Sequence, residues 1–141
     1  ARSQLINKGK LANKIDKNYV IILDGAHNVS GAKALSKVLS SIDTKWQLIF
    51  GYLKTRKPAD FLNELKSITQ KIITTEITGQ ENSFSSKELF EIIQKKGISV
   101  DKSKNLYEAI EIASQNKLNV CICGSLYLAG EFLKNNQTIP N

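Results

Sequence analysis

The sequence predicts a three-layer α/β fold of the Rossmann-like type, with a mostly parallel sheet of five or six strands and helices on both faces. Short apolar runs alternate about five times with segments whose apolar residues recur at helical spacing. Short connections join these segments, as is typical of a parallel sheet covered on both sides. The length of 141 residues suits one domain with a real core, and no internal repeat or low-complexity tract interrupts it. We therefore expect residues 1–141 to form a single domain.

Five apolar runs are expected to form the main strands. They are residues 18–24 (NYVIILD), 46–51 (WQLIFG), 71–77 (KIITTEI), 98–101 (ISVD) and 119–124 (NVCICG). Short apolar runs of this kind, bounded by polar residues or Gly, are typical of buried strands. The segment from Ser3 to Asn7 is a candidate edge strand. The sheet should therefore contain five or six strands.

Five segments between or after these runs each carry one apolar stripe, which predicts helices that pack on the sheet. The stripes contain Ala32, Leu35, Val38, Leu39 and Ile42; Phe61, Leu62, Leu65 and Ile68; Leu89, Phe90, Ile92 and Ile93; Leu106, Ala109, Ile110 and Ala113; and Leu126, Ala129, Phe132 and Leu133. Ser85 and Glu88 precede the third stripe with the spacing of a capping box, which predicts that a helix begins there.

The composition argues against a nucleic-acid partner and against membrane insertion. The formal charge is +7, but nearly all of the positive residues are Lys, scattered in ones and twos along the chain. The sequence has no Arg cluster and no aromatic-rich strand on which bases could stack. No window approaches the roughly 18 uncharged apolar residues that a membrane-spanning helix needs. We therefore expect no nucleic-acid partner and no membrane.

The amino terminus and the cysteines indicate a cytoplasmic protein. Residues 1–10 (ARSQLINKGK) lack the apolar core of a signal peptide. Cys121 and Cys123 lie in an apolar run and would point the same way in a strand, which suits reduced, buried thiols. The chain contains no Met, even at position 1, so we expect it to be an excised domain or a trimmed fragment.

Three polar stretches follow predicted strands and define a candidate site. Asp24 to Asn28 (DGAHN) follows the first strand, Gly51 to Lys57 (GYLKTRK) the second, and Gly124 to Phe132 (GSLYLAGEF) the last. Ligands of open α/β sheets bind outside the carboxyl ends of the strands. Parallel strands bring all three stretches to the same edge of the sheet, so we expect them to build one surface.

Each stretch also has a purely structural interpretation. Asp24 could serve only as a cap, the lone His27 could be structural, and Gly124 with Ser125 could form a simple helix N-cap. Polar groups at helix N-termini do favour anions. However, neither G-x-x-x-x-G-K-[ST] nor G-x-G-x-x-G occurs in the sequence. The chain can therefore contact a phosphorylated ligand but lacks the usual cradle that holds one.

Together the motifs resemble the carboxyl-terminal domain of folylpolyglutamate synthase/dihydrofolate synthase, a branch of the Mur ligase superfamily. The resemblance rests on LDGAHN with a following GA, on G-x-L after the second strand, and on GSLYLAGE near the end. It covers essentially the whole chain, and DGAHN and GSLYLAGE at this separation are specific as a pair. The opening ARSQ also resembles the end of the segment that links the family's central ATPase domain to this one.

The resemblance implies an ATP-dependent ligase that adds glutamate to a folate or to dihydropteroate. In that family the acceptor carboxylate attacks the γ-phosphate of ATP to give an acyl phosphate, and the amino group of glutamate then displaces phosphate. The P-loop and the magnesium ligands belong to the preceding domain, so no metal ligand is expected in this chain. The carboxyl-terminal domain closes over ATP and helps to hold the incoming glutamate. We expect the full-length protein to be a monomer.

The resemblance also assigns residues to ATP. Arg2 would be a fixed cation for the phosphates, and His27 would donate to a phosphate oxygen. Asp24 would accept a hydrogen bond from a ribose hydroxyl or orient His27. Asn28 lies beside these contacts and would brace the turn. The Asp/His/Asn turn would then be half of a site whose other half lies on another domain.

For the incoming glutamate, the resemblance points to Ser125 at the start of the last helix, with Arg56 and Lys57 nearby. Two departures from the family pattern bear on this assignment. The family's usual Asp-Lys-Asp is replaced here by Thr55, Arg56 and Lys57, which keeps a cation but removes the acids. The family's Pro-Arg pair before the third helix is replaced by Glu-Asn at 81–82. The glutamate site is therefore rearranged or has a shifted preference.

Two other interpretations remain open at this point. The chain could be the same domain of a peptidoglycan-type Mur ligase with a different acyl acceptor, although GSLYLAGE fits the folate branch better. It could also be a stand-alone Rossmann-like binding module. Within the folate branch, the sequence leaves open whether the enzyme adds the first glutamate to dihydropteroate, later glutamates to tetrahydrofolate, or both.

Overall fold

The computed structural model describes residues 3–137, and its centre is a six-stranded sheet. The strands are β1 (Gln4–Ile6), β2 (Ile21–Leu23), β3 (Trp46–Phe50), β4 (Thr69–Thr74), β5 (Val100–Lys102) and β6 (Asn119–Cys123). Their order is β1-β2-β6-β3-β4-β5, with β1 antiparallel to β2 and all other neighbours parallel. The predicted mostly parallel sheet, including the edge strand near Ser3 to Asn7, is confirmed.

Five helices cover the two faces of this sheet. They are α1 (Val29–Ile42), α2 (Pro58–Asn63), α3 (Ser86–Gln94), α4 (Leu106–Ala113) and α5 (Leu126–Asn135). Buried residues of α1, α2 and α3 share one core cluster, and those of α4 and α5 share the other. The sheet therefore lies between two hydrophobic layers, as the apolar strands and striped helices predict.

The second predicted helix is shorter than its apolar stripe. The structure ends α2 at Asn63 and forms a separate 3₁₀ turn at Lys66–Ile68. The N–H of Leu65 bonds the carbonyl of Leu62, a contact of the tighter 3₁₀ type that closes a helix end. Leu65 and Ile68 are nevertheless buried in the same core cluster as Phe61. The stripe thus identifies the buried residues correctly, whereas the prediction of one continuous helix is wrong.

Two local predictions are confirmed, the capping box before α3 and the burial of the two cysteines. Ser85 and Glu88 form the complete capping box at the start of α3. Cys121 and Cys123 are free and buried, and burial raises the pKa of Cys121 well above the usual value of a thiol. In the part of the chain that the structure describes, no helix has the length and apolar character needed to span a membrane.

The position of β6 creates a crevice at the carboxyl edge of the sheet. β6 lies between β2 and β3, which are consecutive in sequence. The chain leaves β2 for α1 on one face, whereas it leaves β6 for α5 on the other. Adjacent strands whose connections diverge in this way form a topological switch point, where open α/β sheets bind ligands.

Candidate functional site

The turn after β2 is held by the carboxylate of Asp24, which is only 7% exposed. One carboxylate oxygen of Asp24 accepts the N–H of Ala26 at 2.7 Å, and the other accepts the hydroxyl of Ser3. The N–H of Asp24 continues the sheet by bonding the carbonyl of Ile122 in β6. Asp24 therefore shapes the turn and ties it to the segment just before β1.

His27 is exposed at the tip of this turn. Its Nδ1 lies 3.1 Å from the carbonyl oxygen of Gly25, so Nδ1 carries a proton and donates it to that contact. This leaves Nε2 directed away from the Gly25 contact. The Asp24 carboxylate thus bonds Ala26 and Ser3, whereas the His27 ring contacts the carbonyl of Gly25.

Asn28 joins the turn to α1. It is the N-cap residue of α1, and its Oδ1 accepts the N–H of Gly31 at 2.8 Å. The start of α1 lies close against the turn, since a Cβ at Gly31 would be 3.1 Å from the Cβ of Ala26. Asn28 therefore links the turn to the first turn of α1.

The loop after β3 contains a residue that the sequence reasoning missed. Tyr52 is buried, and its hydroxyl donates a 2.8 Å hydrogen bond to the carbonyl oxygen of His27. Arg56 lies farther along the loop, is exposed, and carries the positive charge of this part of the site. Lys57 precedes α2 as its N-cap residue and is also exposed. Tyr occupies the middle position of the G-x-L motif, but no local pattern shows that its hydroxyl reaches the turn after β2.

The turn after β6 is built from Gly124 and Ser125. Gly124 has φ +114°, and a Cβ there would lie 2.1 Å from the carbonyl oxygen of Gly51. Ser125 is 2% exposed and is the N-cap residue of α5, with its Oγ accepting the N–H of Tyr127 at 3.0 Å. Ser125 is therefore buried at the start of α5. Ser125 thus acts as an N-cap, and it also lines a groove at this edge.

Two grooves flank His27 at this edge of the sheet. The loop groove, of about 180 Å³, is lined by His27, Tyr52, Leu53, Thr55, Arg56, Gly124, Ser125, Leu126 and Tyr127. The turn groove, of about 630 Å³, is lined by Ser3, Asp24, Gly25, Ala26, His27, Asn28, Gly31, Ala34, Leu35, Val38 and Leu126. His27 and Leu126 belong to both grooves, so they form the ridge between them.

These grooves bring together most of the residues singled out in the sequence. Asp24, His27 and Asn28 share the turn groove, whereas Arg56 and Ser125 share the loop groove with His27. Lys57 is not among the described residues that line either groove. Arg2 lies outside the described residues.

The loop groove carries two features that favour an anion. The loop groove combines the Arg56 guanidinium with the N-terminus of α5, both of which favour negative charge. Over the described residues, no group of three or more His, Cys, Asp or Glu side chains could hold a metal ion. The two positive features of the loop groove are therefore of a kind that binds phosphates or carboxylates.

Solved structures share this fold at low sequence identity. Folylpolyglutamate synthase from Mycobacterium tuberculosis complexed with ADP matches with a TM-score of 0.77 and 20% identity, over 86% of this chain and 31% of that chain. Bifunctional folylpolyglutamate synthase/dihydrofolate synthase from Yersinia pestis matches with a TM-score of 0.75 and 21% identity, over 93% and 29%. The same enzyme with Mn, AMPPNP and L-glutamate bound gives 0.73 and 22%, over 93% and 30%. The chain thus spans about three-tenths of the length of these solved relatives.

Sequence comparison identifies the family. No curated protein sequence matches the chain. A family model described as the carboxyl-terminal domain of dihydrofolate synthetase, however, matches residues 7–135, which include β2 to β6, all five helices and the three loops of the site. The chain therefore belongs to the dihydrofolate synthetase carboxyl-terminal domain family.

Proposed function

We propose that this chain is the part of an ATP-dependent carboxylate–amine ligase that closes over ATP and positions the glutamate to be added to a folate or to dihydropteroate. The observation that carries the proposal is the pair of grooves that meet at His27. The turn groove offers an acid, an imidazole and an amide, and the loop groove offers a cation and a helix N-terminus. Two anionic substrates held side by side are what such a ligation requires.

The turn groove is the proposed site for ATP. Nε2 of His27 is directed away from the Gly25 contact and can donate to a phosphate oxygen when it is protonated. The oxygens of Asp24 each hold one hydrogen bond already, and a carboxylate oxygen can accept a second, here from a ribose hydroxyl. Asn28 holds the turn, and Arg2 would add a fixed positive charge for the phosphates.

The loop groove is the proposed site for the incoming glutamate. Arg56 supplies a guanidinium that can bind a carboxylate through two parallel hydrogen bonds. Ser125 places a hydroxyl at the start of α5, where the helix dipole also favours a carboxylate. Lys57, one residue after Arg56, would add long-range attraction for the glutamate. This arrangement puts the glutamate next to His27 and so next to the transferred phosphate.

The remaining parts of the site are proposed to lie on the preceding domain of the same chain. The phosphate loop and the Mg²⁺ ligands would be there, and the metal would neutralise phosphate charge. Val29, Leu126 and Tyr127 are large apolar side chains exposed at the carboxyl edge, where that domain would pack. A cytoplasmic monomer built this way would form its active site by closing two domains of one chain.

The test of this proposal compares the full-length protein with the isolated chain. We expect the full-length protein to join glutamate to dihydropteroate or tetrahydrofolate with release of ADP. The 141-residue chain alone should show no ligation and should bind ATP at about millimolar Kd or weaker, because few contacts remain to offset the cost of association. Radiolabelled glutamate incorporation and ATP titration measure these results.

Two outcomes would contradict the proposal. Ligation by the isolated chain above the level of a His27→Ala control would show that the site is not divided between domains. Full-length protein that ignores both pterin acceptors but uses a peptidoglycan precursor would move the chain to the other branch of the superfamily.

A Ser125→Ala variant of the full-length protein should show two separable effects. Loss of the N-cap hydrogen bond should lower the free energy of unfolding by about 1 kcal/mol. Loss of the hydroxyl from the loop groove should raise the KM for glutamate and leave the KM for ATP nearly unchanged. Thermal or urea unfolding and steady-state kinetics with each substrate varied separately measure the two effects.

Asn105→Ala is the matched control for Ser125→Ala. Asn105 is the N-cap residue of α4, where its Oδ1 accepts the N–H of Glu108 at 2.8 Å, and it lines neither groove. Its removal should therefore cost similar stability without changing either KM. A Ser125→Ala variant that raises the KM for ATP and spares glutamate would show that the two substrates are assigned to the wrong grooves.

A further inference from the structure

Tyr52 is fixed by aromatic packing at the floor of the loop groove. It is 2% exposed, and its ring packs against those of Phe50 and Phe61 at centroid distances of 5.2 and 5.3 Å, in a three-ring cluster where Phe50 and Phe61 are 5.5 Å apart. Aromatic rings at these distances pack favourably and restrict each other's rotation. The Tyr52 hydroxyl therefore has a defined position.

The hydroxyl and the backbone of Tyr52 bind different loops. The hydroxyl donates to the carbonyl oxygen of His27, 25 residues earlier in the chain. The carbonyl oxygen of Tyr52 accepts the N–H of Phe84 at 2.9 Å, and the next loop residues continue this pairing, with the Lys54 N–H bonded to the Asn82 carbonyl at 2.7 Å. One residue thus joins the turn after β2 to the loop after β3 and to the segment that leads into α3.

The chemistry of the phenol suits a permanent hydrogen-bond donor. Burial raises the pKa of Tyr52, and the nearby positive charge of Arg56 only partly opposes this effect. The hydroxyl therefore keeps its proton at neutral pH and donates to the His27 carbonyl. Phe at this position would keep the ring and lose only the donor.

We propose that Tyr52 is a positioning residue. Its hydroxyl holds the backbone of His27 at a fixed position relative to the loop that contains Arg56, so that His27 stays on the ridge between the two grooves. The kinetic consequence rests on the proposed function, because it assumes that His27 serves the transferred phosphate. The structural consequence does not rest on the proposed function, since it concerns only how rigidly the turn from Asp24 to Gly31 is held.

The test uses Tyr52→Phe in the full-length protein, with Tyr19→Phe as the matched control. Tyr19 is half-buried just before β2, at the opposite end of that strand from the site. In Tyr52→Phe we expect amide hydrogen exchange across residues 24–31 to rise about tenfold and kcat for ligation to fall about tenfold, the effect of losing one orienting hydrogen bond. Tyr19→Phe should change neither quantity.

The same substitution in a His27→Ala background separates positioning from simple packing. If Tyr52 acts through His27, the double variant should be no slower than His27→Ala alone, because the two effects are not additive. The proposal would be overturned if Tyr52→Phe lowered kcat by the same factor in the wild-type and His27→Ala backgrounds. It would also be overturned if Tyr52→Phe left amide exchange across residues 24–31 unchanged. If the wild-type protein lacks ligase activity, the proposed function fails, and the exchange measurement alone decides the role of Tyr52.

Discussion

Replacing His27 by Ala in the full-length protein is expected to slow acyl-phosphate formation by about 10²–10³-fold. His27 is exposed on the ridge shared by both grooves, with Nε2 free of the Gly25 contact. A donor placed at this point would act on charge that grows as phosphate is transferred, so its loss should lower kcat more than it weakens ATP binding. Rapid-quench measurement of ADP formation, with ATP and glutamate varied separately, gives both quantities.

His27→Gln is the conservative comparison. Its side-chain amide can still donate a hydrogen bond, so it should recover part of the lost rate. Both variants should unfold at close to the wild-type temperature, because substitutions of exposed residues away from packed features change stability by about 0.5 kcal/mol or less. Wild-type rates in His27→Ala, or a defect seen only in the KM for glutamate, would show that His27 does not serve the phosphate.

Replacing Gly124 by Ala should give the largest loss of stability that the structure predicts for this site. Gly124 has φ +114°, a conformation that costs a residue with a side chain roughly 1–3 kcal/mol. In addition, the new methyl would lie 2.1 Å from the carbonyl oxygen of Gly51, which is backbone and cannot rotate away. The loops after β3 and β6 would have to separate, so the loop groove should open and glutamate binding should fail. Urea unfolding and glutamate KM measure the two losses.

Gly130→Ala provides the matched control within the same segment. Gly130 lies inside α5, and a Cβ there would meet no atom within 4 Å. Ala in a helix interior is more favourable than Gly by about 0.5–1 kcal/mol, so this variant should be slightly more stable than the wild type. If Gly124→Ala were no less stable than Gly130→Ala, the close approach of the two loops in the structure would be contradicted.

The strands and helices were predictable because their signals are local. The runs ending at Asp24, Gly51 and Gly124 are continuous and apolar, as central strands must be when helices cover both faces. The break between α2 and the turn at Lys66–Ile68 was not predictable from the stripe, since Leu65 and Ile68 are buried by either geometry. A hydrophobic stripe reports which side chains are buried, and it does not report how the backbone between them is hydrogen-bonded.

The convergence of the three loops was also predictable, because parallel strands present their carboxyl ends at one edge. The contacts that individual residues make with distant loops were not predictable. The bond from the Tyr52 hydroxyl to His27 spans 25 residues, and the contact between Gly51 and Gly124 joins loops 73 residues apart, so no local pattern encodes either one. The capping contacts of Ser125 are local, yet its burial depends on how α5 packs against β6.

The sequence by itself determined the class of fold, five strands with a candidate sixth at the edge, the convergence of three loops at one edge of the sheet, and the family resemblance that the comparison confirmed. These features follow from the period of apolar residues and from motifs a few residues long. The tertiary structure alone decided that His27 lies on a ridge shared by both grooves, that its Nδ1 contacts the Gly25 carbonyl, and that the Tyr52 hydroxyl bonds its backbone carbonyl. Such contacts depend on strand order and loop packing, where shifts of about 1 Å make or break a hydrogen bond.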